Sequence, residues 1–175
     1  MPRYDLPKAA PEPLRRVQLF VNTVDLSHDR EWLSGWLDGE GVRPTPVALD
    51  RARTVREALR ELLYANNRQP GKFDPYPDLD RAADAARLSL DLREPAIVPR
   101  ASGVDGALGR VLAIVYTAMQ DGTFARLKSC RNHDCRWAFY DYSKNRSASW
   151  CSMQLCGNRT KTRAYRHRHS GRASL

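Results

Sequence analysis

Four cysteines stand in the pattern Cys130-x4-Cys135-x15-Cys151-x4-Cys156, and residues 1–129 contain none. Two pairs across a spacer is the layout of a structural zinc site. Each pair reaches the ion as one turn, and the spacer lets the two turns meet. Thiolates suit zinc because the ion is borderline soft and tetrahedral. Four of them fill its shell and leave no position for a catalytic water, so the expectation is one structural Zn2+ and no enzyme. Such a site supplies about 10 kcal/mol or more of folding free energy to a module too small for its own core. Two disulfides or four unbound thiols are the alternatives; the absence of a secretion signal favours metal. His133, between the first pair, is a substitute ligand that a complete cysteine set makes redundant.

The same segment is basic. The net charge is +9, and residues 126–175 carry 12 Lys+Arg against 2 Asp+Glu, so the excess belongs to this end of the chain. Such asymmetry points to an anionic partner, nucleic acid first and a membrane surface second; a solvated basic end is the plain alternative. After Cys156 the chain Gly157–His169 has few helix breakers and reads as a helix. Arg159, Arg163 and Arg166 share one face; Lys161 and Arg168 share another. A basic helix beside a zinc knuckle fits the major groove or tracks phosphates. It has too little apolar face to enter a membrane. Trp137, Phe139, Tyr140 and Trp150 around the spacer suit a miniature core better than stacking on bases, because so small a module has little else to bury.

The elements that must position this segment follow from period. With 42% hydrophobic residues in 175, the chain has enough apolar material for a core. Residues 1–14 hold four prolines and read as an extended, poorly ordered lead. Val17–Val21 is a compact apolar run and reads as a strand. Asp29–Leu37 is a short helix with Trp32, Leu33, Trp36 and Leu37 on one stripe. Val47 to about Arg68 is the clearest helix, with Val55, Leu59, Leu62 and Leu63 on one face. Asp78–Arg87 is another. Leu88, Leu90 and Leu92 then alternate as in a half-buried strand, and Ala96–Arg100 completes a hairpin. Gly106–Gln120 returns to helical period. The expected organisation is a lead (1–14), a mostly helical α+β domain with a small antiparallel sheet (15–124), a zinc finger with a basic C-terminal helix (125–170) and a tail (171–175). Losing one cysteine should then unfold only the finger. Residues 1–125 contain no phosphate loop, nucleophile elbow or HExxH helix, and His28 stands alone there. No apolar run approaches a membrane span and no signal core is visible, so a cytoplasmic, nucleoid-associated protein is expected.

The stretch Cys130 to Arg168 resembles the CGNR zinc finger. It carries Phe139-Tyr140-Asp141 in the spacer, Trp150-Cys151-Ser152-Met153, and the Cys156-Gly157-Asn158-Arg159 that names the finger. The preceding part resembles the ABATE domain, through Leu19-Phe20-Val21-Asn22-Thr23 and the order helices, hairpin, last helix. The resemblance implies a bacterial transcription regulator whose cysteines hold zinc and whose Arg159 and basic helix contact double-stranded DNA. The first domain would sense a small-molecule effector or mediate assembly. Members often carry arginines just before the Trp-Cys step; here that place reads Ser147-Ala148-Ser149, leaving Lys144 and Arg146 as the nearby cations. An RNA-binding or ribosome-associated protein, or a zinc-stabilised module for an acidic protein partner, would use the same charge.

Overall fold

The longest helical pattern in the sequence forms the centre of the fold. In the computed structural model, which describes residues 8–158, 160 and 162, helix α3 spans Pro46–Asn66. Thr45 caps it by accepting the Ala48 N–H at 3.3 Å, with Pro46 at its first position. Ala52, Ala58, Leu59 and Leu63 along it are fully buried. Around it lie α1 (Leu14–Val21), α2 (Leu33–Gly39), α4 (Tyr76–Ala86) and α5 (Gly103–Gln120). The small antiparallel sheet expected from the sequence takes the form of two-stranded ribbons, three of them among the described residues. They are β1–β2 (Val24–Asp25, Arg30–Glu31), β3–β4 (Leu88–Asp91, Ala96–Pro99) and β5–β6 (Leu127–Ser129, Ala138–Tyr140). The class is α+β, as expected.

Val17–Val21 is not a strand but the end of α1. Leu14, Val17, Gln18 and Val21 recur at helical spacing and are buried together with Phe20. A five-residue apolar run cannot distinguish a strand from a helix buried on several sides. The lead is not loose from Lys8 onward. Lys8 carbonyl accepts the Tyr140 N–H at 2.9 Å, and the Tyr142 hydroxyl donates to Ala9 carbonyl at 2.7 Å. The Lys8 ammonium donates to Trp150 carbonyl at 2.6 Å and stands 4.7 Å from the centre of the Phe139 ring.

The β3–β4 hairpin is seated at its base. A Cβ on Gly109 of α5 would come within 2.7 Å of the Ala86 and Pro99 Cβ atoms, so only glycine allows this crossing without displacement. Further out, Leu90 and Leu92 are 69% and 83% exposed. Their alternation therefore marks an open apolar edge, because a two-stranded ribbon has no third layer to cover it.

Candidate metal centre and nucleic-acid interface

Ribbon β5–β6 is a wall between two cores. Its register pairs Leu127 with Tyr140, Lys128 with Phe139, and Ser129 with Ala138. By strand alternation, Leu127, Ala138 and Tyr140 face one way, and Lys128 and Phe139 the other. The first set joins the large helical core. Phe139 joins a small second core with Trp137, Cys130, Cys151 and Cys156, against which Trp150 packs partly buried. The aromatics thus serve packing as expected, except that Tyr140 belongs to the helical core. Tyr142, 62% exposed, is the aromatic left at the surface beside them.

Cys130 leaves the end of β5 and returns through a tight turn, Cys135 N–H donating to Asn132 carbonyl at 2.9 Å. Arg136 follows in the left-handed region, at φ 46°. The second pair closes the same way: Cys156 N–H donates to Ser152 carbonyl at 3.0 Å, and the Ser152 hydroxyl caps Leu155 N–H at 3.3 Å. The two turns are tied by Arg131 N–H to Ser149 carbonyl at 3.1 Å.

The four Sγ atoms lie within 4.8 Å of one another, and no cysteine is disulfide-bonded. Cys135–Cys151 and Cys151–Cys156 are 3.7 and 3.6 Å apart. A tetrahedral zinc with bonds of about 2.3 Å requires sulfur separations of about 3.8 Å, so the donor set fits one zinc ion. Mutual hydrogen bonding among the four thiols pulls Cys130 and Cys156 down and pushes Cys135 and Cys151 up. Asn132 Nδ2 lies 3.8 Å from Cys156 Sγ as an outer donor. His133 does not join the ligands; its Nδ1 sits 3.1 Å from the Tyr64 hydroxyl of α3.

The finger's cations divide into two groups. The Lys128 ammonium, 5% exposed, donates to Asp141 Oδ2 at 2.7 Å and to the carbonyls of Arg146 and Ala148. Arg136 pairs with Glu61 at 2.7 Å. Arg126 donates to the carbonyls of Asp141 and Ser143. Arg131 donates to Asn67 carbonyl at the C-terminus of α3, where a cation also opposes the helix dipole. These four hold the fold. Lys144 and Arg146 are exposed, with no ion pair or side-chain hydrogen bond among the described residues. Asp141 shapes the loop that presents them. Fully buried, it accepts from Ser143 N–H and hydroxyl on one oxygen, and from Lys128 and Ala148 N–H on the other. Burial works against its charge, but the Lys128 ammonium and Ser143 outweigh it and hold the carboxyl below the usual range.

Arg159, Lys161, Arg163, Arg166 and Arg168 lie outside the described residues, as does most of the expected basic helix. Asn158, Thr160 and Thr162 are helical, and the Thr160 hydroxyl donates back to Cys156 carbonyl. Sequence reasoning missed Asp141, Lys128 and Arg136 as builders of the site. The Phe139-Tyr140-Asp141 triplet was the available signal for the first of them. Among the described residues no helix is long and apolar enough to cross a membrane.

Residues 14–119 match the ABATE family, described as "Putative stress-induced transcription regulator", and residues 126–169 match the CGNR zinc finger. No curated protein matches the chain.

Proposed function

Because the chain belongs to the ABATE family and ends in a CGNR zinc finger, we propose that it is a DNA-binding transcription regulator whose finger grips the phosphate backbone of a duplex. The carrying observation is the partition of the finger's cations. Four are turned inward to shape the module, while Lys144 and Arg146 stand unpaired on one loop, beside the chain that leads into the arginine-rich segment. Phosphate contacts of this kind position a protein on DNA. Arg159, Lys161, Arg163, Arg166 and Arg168 extend the contact in this reading, and the zinc holds the two knuckles together without taking part in any reaction. The protein is not an enzyme in this reading, since four thiolates close the metal's shell. For the helical domain, the exposed Leu90 and Leu92 favour assembly over the sensing of a small effector.

The test is a titration of zinc-loaded protein against fluorescent duplex DNA at several salt concentrations, with a chelated control. Affinity should fall by about 0.9 log units per phosphate contact for each tenfold rise in salt, and vanish on chelation. No binding at any salt refutes the reading. Preference for structured RNA in direct competition moves it to an RNA-binding protein.

A further inference from the structure

Several buried polar groups of the helical domain find partners in the finger. Arg60 of α3 is fully buried; it donates to Val21 carbonyl at 2.6 Å, Glu57 at 3.0 Å and Arg136 carbonyl at 2.9 Å. Glu61, 3% exposed, pairs with the Arg136 guanidinium, which lies 4.4 Å from the centre of the Tyr64 ring. The Tyr64 hydroxyl reaches His133, inside the first cysteine turn. Asn67 donates to the carbonyls of Ser129 and Ser149. Asn22, after α1, takes the Ala138 N–H at 2.7 Å and returns a bond to its carbonyl at 2.9 Å. These finger atoms belong to residues that flank or lie between the cysteines, so the geometry that zinc fixes is also the geometry that satisfies the helical domain.

We propose that the helical domain and the finger are one cooperative unit, in which zinc occupancy sets the stability of the helical domain. The finger's own core is five buried residues, three of them cysteines, which is too little to hold residues 129–138 in place once the metal leaves. When that segment moves, Glu61 loses its countercharge and keeps only the Lys72 N–H, and Arg60 loses an acceptor, both inside the protein. Removing one side of a buried pair is strongly destabilising. The wall β5–β6 goes with it, and Leu127, Ala138 and Tyr140 leave the helical core. This departs from the two-unit organisation expected from the sequence, and it is independent of what the basic segment contacts. Reciprocity follows by linkage: whatever zinc gives α3, an intact α3 must give back to zinc affinity.

Two measurements on the full chain test it. With Trp137→Phe and Trp150→Phe, the remaining Trp32 and Trp36 report the helical domain alone. Chelation should then change their emission and the far-UV helical signal in one transition together with zinc release. In the second, Glu61→Gln is placed in competition with a chromophoric chelator and should hold zinc about 10-fold more weakly. Tyr64→Phe, which removes a single hydroxyl and leaves the ring on Arg136, should show a smaller loss and serves if Glu61→Gln fails to fold. A helical signal that outlasts zinc release overturns the proposal, and so does unchanged zinc affinity in the α3 variants.

Discussion

Replacing Asp141 with asparagine changes one atom and reverses a pattern of donors. The wild-type carboxylate accepts four hydrogen bonds, two on each oxygen. Asparagine keeps an oxygen for Ser143 and turns an NH2 toward the Lys128 ammonium and the Ala148 N–H, both donors themselves. Lys128 is then left with two carbonyls and no countercharge, at 5% exposure. Breaking a buried pair from one side costs about 3–5 kcal/mol, against a total stability of about 5–15 kcal/mol. For a chain of this size that is a fall in Tm of roughly 6–20 °C. The carboxyl is depressed in the folded state, so its stabilisation is present above the unfolded value near pH ~3.9 and is lost as pH falls through the folded value. The wild type should therefore exceed Asp141→Asn by a constant margin at neutral pH, and the margin should shrink below about pH 4. Urea unfolding followed by far-UV circular dichroism at both pH values measures it. Adding Lys128→Met should recover part of the loss, because the stranded ammonium is gone. A single variant within about 1 kcal/mol of wild type at neutral pH would refute the claim that this pair organises the loop.

Two further outcomes test other parts of the structure. Lys144→Ala with Arg146→Ala should reduce the slope of log affinity for duplex DNA against log salt by about 1.8, with zinc content unchanged; zinc loss would mean that these cations are structural. Gly109→Ala should destabilise by about 1–2 kcal/mol, since overpacking against Ala86 and Pro99 outweighs the gain in helix propensity. Thermal unfolding checks it, and a stabilised variant would show that the α5 crossing has room.

What the sequence made legible is what has a period or a strict chemistry. Helix α3 and α5 announce themselves because their apolar residues repeat over several turns, and the metal centre because four thiolates within one basic segment have few other uses. Helix α1 was hidden because its apolar run is shorter than two turns. Leu90 and Leu92 were misplaced because alternation gives a face and does not say whether anything covers it. The finger's charge misled in a subtler way. Residue type makes Lys128, Arg131 and Arg136 look like Lys144 and Arg146, and only the fold shows which of them have partners. The bonds from Lys8 and Ala9 are made largely by backbone atoms, which leave no mark in the sequence.

The lead clamped on the finger sets an order for synthesis. Lys8 and Trp150, which it bonds, are 142 positions apart. At about 5–20 residues per second, the ribosome makes the second roughly 7–30 s after the first. Gln18 of α1 is available to Lys8 and Ala10 early, but the partners at Tyr140, Tyr142 and Trp150 are made only after every helix in the core. A nascent chain interrupted before Tyr140 has neither its full set of metal ligands nor the finger atoms that Lys8 and Ala9 bond.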